Sequence, residues 1–379
     1  MKKWIGIILL ICGLPLFNGC SEETPLSKRI IVQNVGVDRM EKGYHLSMNA
    51  FVADDSGEDV ADITSTTFFS RTGATIADAI ANLGLVTGRS PFFSHNEVVV
   101  LGEDTARQGI SDVMGFFMEY PECRAGVDVF VAVGSADELI ACKSADNTMV
   151  AKNFQELSQI GDSSGKAIHK TVFGVGAALS NPAMDFCLPC VRVEEEEDKD
   201  GEAIRRIVAG GTAVFREDRL AGYLDETETQ GYLLLAGETS HLSLTVEVPG
   251  YGVITSEFRQ ITTDVHVDVQ SGIPSVTVVV KAEGEPIEKL SLNGKALGND
   301  FYEQLNEICS RQMESAMRRC VEKTAAFESD PYGFGALVWQ KNPVYWEENG
   351  GSWRALLAQA DFSFSVQTNL RQIHRSLQQ

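Results

Sequence analysis

The chain is 379 residues long, 44% hydrophobic, with a formal net charge of −21. That length is enough to bury the cores of two or three domains. The acidity repels nucleic-acid phosphates and anionic lipid headgroups, which excludes both as partners of the body taken as a whole.

Lys2 and Lys3 precede an apolar run from Ile5 to Phe17 that ends at Asn18-Gly19-Cys20. A basic start, a short apolar stretch and a small residue before the cut describe a secretory signal peptide over residues 1–19. The run is too short to cross a bilayer as a mature helix. Cys20 directly after Gly19 fits a lipobox, in which the thiol is diacylated and the cysteine becomes the new N-terminus. Two acyl chains are enough for stable anchoring. The alternative is an ordinary signal peptide cut nearby, with Cys20 left as a plain thiol. Residues 20–28 are polar, contain Pro25, and read as a tether.

Arg29–Val37 and Tyr44–Ala53 are β-rich runs joined by a turn at Met40–Gly43, and Ser65–Arg71 reads as a third strand. Thr75 and Asp78 form a capping-box pattern for a helix whose apolar positions are Ile76, Ile80 and Leu83, with Gly88 as its stop. Asn96–Leu101 is a compact strand. Asp104 is placed to cap a helix carrying Ile110, Val113, Met114, Phe117 and Met118. Val127–Val133 is apolar on both faces, as a covered central strand is. Ser135 and Glu138 open a further helix through Leu139 and Ile140. Residues 143–186 carry no clear period. The acidic run Glu194–Asp200 reads as a solvated hairpin tip or a domain boundary.

From Ile204 the chain is β-rich again, with strands at Gly211–Arg216 and Leu220–Leu224, then a helix near Glu226–Leu235. Strands follow at Leu242–Val248, Gly252–Arg259, Val265–Val269 and Ser275–Ala282, the last two joined by a turn at Ser271–Pro274. The longest helix spans about Phe301 to Ala326, capped by Asp300 with Glu303 in the reciprocal position. A strand at Asp361–Thr368 closes the chain. Together these elements predict a mixed α/β (α+β), multidomain fold of about three small domains, with mixed or antiparallel sheets and packed helices. The expected division is an N-terminal α/β domain at 29–186, a β-rich domain at 187–255 and a C-terminal α+β domain with the long helix at 256–379.

Little in this sequence resembles a catalyst. Cys187-Leu188-Pro189-Cys190 has the spacing of a thiol–disulfide oxidoreductase, but no strand–helix context surrounds it, which leaves a structural pair, reduced or bridged, as the alternative. Six cysteines belong to the body, and an even number permits disulfides. Cys309 and Cys320 stand about 16 Å apart along one helix and cannot bridge each other. No histidine stands at metal-ligand spacing, so neither a metal nor a cofactor is expected. Trp339, Tyr345, Trp346 and Trp353 either line a groove or pin the C-terminal segment to the long helix.

Several landmarks then fall in order. They are Val35-Gly36-Val37-Asp38, Thr87-Gly88-Arg89, Phe92-Phe93-Ser94-His95 running into Asn96–Glu103, and Ala213–Gly231. Glu257–Glu285, Asp330-Pro331-Tyr332-Gly333-Phe334-Gly335, Asn342-Pro343, Trp346 and Trp353 complete the series. This succession resembles the Ger(x)C lipoproteins, the C subunits of nutrient germinant receptors in endospore formers. The acidic stretch after Cys20 departs from the family pattern, and Cys187 and Cys190 are not family features. The resemblance implies a non-enzymatic lipoprotein on the outer face of the spore inner membrane, with no cofactor. It also implies partnership with a polytopic A subunit and a transporter-like B subunit. The competing functions are an extracytoplasmic solute-binding lipoprotein and a thiol oxidoreductase using Cys187 and Cys190.

Overall fold

The computed structural model describes residues 28–52, 66–142, 154, 156–157, 164–197, 203–269, 272–290 and 298–371. Among them, β1 (Arg29–Arg39), β2 (Tyr44–Val52), β3 (Thr67–Gly73), β4 (Ser90–Phe92), β5 (Val98–Leu101), β6 (Asp128–Ala132), β7 (Cys187–Glu197), β8 (Ala203–Arg216) and β9 (Arg219–Leu224) make one nine-stranded sheet. Its order is β3-β2-β1-β5-β6-β7-β8-β9, with β4 also paired to β1. The middle strands β1, β5, β6 and β7 run parallel, and antiparallel hairpins flank them on both sides.

Parallel strands need crossovers, and helices supply them. These are α1 (Ile76–Thr87), α2 (Glu103–Gln108), α3 (Ser111–Glu119), α4 (Ala136–Ile140) and α5 (Val172–Leu179). Side chains from α1, α3 and α5 bury against Val99, Leu101, Val129 and Val131 on one face of the sheet. Leu139 and Ile140 of α4 cover Val98, Val100 and Phe130 on the other. This double covering explains why β5 and β6 are apolar at successive positions.

The helix expected from Asp104 onward is two helices. Gly102, not Asp104, is the N-cap, and the chain breaks at Gly109, where φ is +122°. There the Ile110 N–H leaves the helical ladder and donates to the Asp218 carbonyl. The acidic run stands at the exposed end of the β7–β8 hairpin, as the hairpin-tip reading has it, with Glu194–Glu197 still in strand. β7 continues through Glu197 because Arg205 and Arg206 on β8 face Glu195 and Glu196, at 3.8 and 3.1 Å. Those cross-strand ion pairs offset the repulsion among the neighbouring carboxylates.

The second sheet has the order β10 (Leu242–Val248), β11 (Gly252–Asp268), β12 (Ser275–Leu290) and β13 (Asp361–Leu370). Strands β10 to β12 are antiparallel, and β13 joins parallel to β12 after a helical crossover. Alternate residues Leu242, Leu244, Val246 and Val248 point inward. They meet α6 (Glu226–Ala236) and the 28-residue α7 (Asn299–Ala326), whose Phe301, Leu305, Cys309, Met313, Met317 and Cys320 form one buried stripe. The N-cap of α7 is Gly298, and Asp300 lies in its first turn. Short helices α8 (Phe334–Lys341), α9 (Pro343–Asn349) and α10 (Trp353–Leu357) lead into β13.

The boundaries expected at 187 and 256 both fall inside sheets: Cys187 opens β7, and Ser256 lies within β11. Cys187, Val214 and Leu224 from the far end of the first sheet share a core with the second sheet. The architecture is thus mixed α/β with two sheets and a core that continues from one to the other.

Candidate functional site

Where the two sheets meet, a buried ionic joint draws on four separated stretches. Asp185 precedes β7 and its side chain is only 1% exposed. Arg354, in the first turn of α10, grips it through two bonds, Nε to Oδ2 at 2.9 Å and Nη2 to Oδ1 at 2.8 Å. Asp185 Oδ1 also accepts the Glu217 N–H at 2.7 Å, and Oδ2 accepts the Asp330 N–H at 2.8 Å. Glu217 sits in the β8–β9 turn with φ of +57°. A left-handed glutamate costs energy, and the bonds from its N–H to Asp185 and from Arg354 to its carboxylate hold it there.

Asp330, equally buried, forms the second half of the joint. Its oxygens accept N–H groups from Phe334 at 3.1 Å, Gly335 at 2.7 Å and the Trp353 indole at 2.8 Å. Burial pushes its carboxyl up to about 6, although these donors pull the other way. For Arg354, the hydrogen bonds to Asp185 raise the guanidinium pKa further. Each carboxylate is engaged by several donors, as buried charge requires. Taking away the guanidinium would leave the buried Asp185 side chain without its cationic partner, an expense of roughly 3–5 kcal/mol for a buried pair. With its acceptor positions filled from within the chain, the joint is suited to fixing geometry rather than to turning over a substrate.

Other landmark residues also serve the architecture. The Asp38 carboxylate at the end of β1 accepts the Ala136 and Asp137 N–H groups at 2.9 and 2.8 Å, so it caps α4 from another element. Gly36 lies so close to Ser47 and Ile140 that an added Cβ would clash with both. The aromatic set pins the C-terminal segment. Trp339 stacks on Trp346, Trp346 meets Trp353, and Trp353 is buried in the core with α7. A separate cleft of about 830 Å³ opens at the carboxyl end of β1, lined by Arg39, Tyr44, Thr75, Asp104, Asp112 and Phe116.

Cys187 and Cys190 are free thiols on β7. Being three positions apart on a strand, they face opposite sides of the sheet. Cys187 packs into the core with α7, and Cys190 into the core with α1 and α3. Burial raises both thiol pKa values, well above the ordinary range for Cys187, the reverse of what an attacking thiolate needs. His45 and His169 each contact one aspartate, at 2.8 and 2.7 Å. Among the described residues, no group of three or more His, Cys, Asp or Glu is placed to hold a metal ion. Cys20 and the signal segment lie outside the described residues. The sequence reasoning did not single out Asp185 or Arg354, whose only signal was the neighbouring Asp330 and Trp353.

Residues 22–193 match the family described as the spore germination protein N-terminal domain, and residues 210–374 match spore germination B3/GerAC like, C-terminal. The chain belongs to the GerAC-like spore germination family. Among curated relatives, it is 23% identical over 344 residues to "Putative spore germination protein YfkR" of Bacillus subtilis (strain 168), covering 88% of each chain. It is 19% identical to "Spore germination protein KC" of the same organism, over 98% of this chain and 96% of that one. In three dimensions it matches the crystal structure of the GerBC protein with a TM-score of 0.55 and 16% identity, covering 89% of this chain and 97% of the other. The GerAC-like regions lie on either side of the joint: Asp185 belongs to the N-terminal region, and Glu217, Asp330 and Arg354 to the C-terminal one.

Proposed function

We propose that this GerAC-like chain is a non-enzymatic lipoprotein subunit of a nutrient germinant receptor. In this reading Cys20 carries the lipid on the outer face of the spore inner membrane. The folded body scaffolds a polytopic A subunit and a transporter-like B subunit. The observation that supports it most is that the family's two regions, matched over nearly the whole chain, are locked to each other by the Arg354–Asp185–Asp330 joint. A body held rigid in this way is suited to presenting fixed surfaces to partners.

No helix among the described residues is long and apolar enough to cross a membrane, and the lipid on Cys20 supplies the attachment in this account. Confinement to the membrane surface raises the effective concentration of weak contacts with the A and B subunits. The test is Cys20→Ala in spores. The variant is expected to leave the membrane fraction, and germination triggered by the cognate nutrient is expected to fall while a non-nutrient trigger still works. Unchanged membrane retention together with an unchanged nutrient response would contradict the reading.

A further inference from the structure

The parallel strands give the first sheet two unlike edges. At the carboxyl edge, Asp38, Glu41, Glu103, Asp104, Asp112 and Asp137 outnumber Arg39, Lys42 and Arg107. The amino edge differs in kind. There Arg29 opens β1 and pairs with Ser90 of β4. Helix α1 ends three residues before Ser90, and its last turn carries Leu85 and Val86, which are 85% and 62% exposed. Phe173, 70% exposed, opens α5 beside the loop that feeds β6, with its N–H bonded to the Ala125 carbonyl. The basic residues at this edge are Lys28, Arg29, Arg89 and Arg124, and the acidic ones are Glu97, Glu119, Glu122 and Asp128; Glu122 pairs with Arg29, and Asp128 with His169. Large apolar side chains therefore stand at an edge where basic and acidic residues balance, on an otherwise acidic protein.

We propose that this amino edge is the membrane-facing surface, with Leu85, Val86 and Phe173 seated in the lipid headgroup layer. The inference rests on the lipid at Cys20 proposed above. Lys28 follows Cys20 by only eight positions, and a fully extended chain of that length reaches at most about 29 Å. A compact body of this size is roughly 50 Å across. The tether is thus shorter than the body, and the edge where it enters must stay near the bilayer. Strand β1, with 11 residues, carries the chain on to an acidic edge roughly 35 Å away. The net negative charge of the chain opposes an anionic surface, and the amino edge is where that opposition is weakest. A few exposed apolar side chains entering the interface add a second contact to the anchor and fix the body's orientation.

The test uses the lipidated full-length chain with an environment-sensitive fluorophore at Leu85→Cys, at Phe173→Cys or, as the distal reference, at Met40→Cys. Met40 follows β1 at the carboxyl edge and is 46% exposed. The native thiols compete little: five are buried, and burial pushes the half-buried Cys123 thiol up to about 12. Vesicles are phosphatidylcholine with a minor share of phosphatidylglycerol, prepared with and without bromine-quencher acyl chains. Co-sedimentation reports the anchor separately from the probe. The expected result is co-sedimentation with blue-shifted, quenched emission at positions 85 and 173 and water-like, unquenched emission at position 40. Co-sedimentation with water-like emission at 85 and 173 would overturn the orientation while leaving the anchor intact. Emission at 85 and 173 that shifts only when receptor proteins are added would overturn it in favour of a protein partner. Failure to co-sediment would remove the anchor and the orientation together.

Discussion

At the scale of single residues, Asp330 makes the joint sensitive to pH. Its carboxyl titrates near 3.8 in a solvated chain, and burial lifts it to about 6 in the folded protein. Between those values the folded state holds a proton that the unfolded state has released. Stability from this group is therefore complete below the lower value and is lost as pH rises through the upper one. Acidifying from about pH 7 to about pH 5 should strengthen the fold by on the order of 1 kcal/mol through Asp330 alone. Asp330→Asn cannot take up that proton, and one of its oxygens becomes a donor facing the Gly335 or Phe334 N–H. The variant should be less stable at both pH values, by roughly 1–3 kcal/mol at neutral pH, with a gap that widens on acidification. Denaturant melts of both proteins at the two pH values measure this, and a gap that stays constant would rule out Asp330 as the titrating group.

At the scale of elements, the contact of α6 with α7 depends on Gly231. A Cβ built there would lie 2.2 Å from the Ala316 carbonyl oxygen and 2.9 Å from the Cys320 side chain. Gly231→Ala improves helix propensity yet must push α7 outward, and overpacking of this kind costs about 1–3 kcal/mol. A lower denaturation midpoint is expected, and an unchanged or higher one would mean that the two helices have slack. The sequence makes these elements legible where one face repeats. The stripe of α7 and the alternation of β10 follow directly from apolar spacing, and Thr75 caps α1 by accepting the Asp78 N–H, as its pattern implies. Legibility fails where partners are distant. Strand β11 reads as two strands because Gln260–Asp264 is mostly polar, but it stays paired with β12 throughout, across register shifts at Thr255/Ser256 and Phe258/Gln260. The break at Gly109 is marked locally only by the glycine itself, and the bond that redirects the chain comes from Asp218, more than a hundred positions away.

At the scale of the whole molecule, the same limit hides the joint. Arg354 and Asp185 are 169 positions apart, so no window of sequence contains the pair, and only the landmark order around Asp330 and Trp353 marks the region. The fold class was readable from alternating strands and helices. The way the sheets partition the chain was not, because strand pairing across a parallel sheet has no short-range signature. The joint makes one body of both GerAC-like regions, and the central claim is that this body is a scaffold within a membrane receptor. The most direct measurement is affinity purification of the tagged, Cys20-intact protein from detergent-solubilised spore membranes, with mass spectrometry of what accompanies it. The account predicts recovery of a polytopic A subunit and a transporter-like B subunit. Recovery of a transporter's ATPase and permease, or of no stable membrane partner, would contradict it.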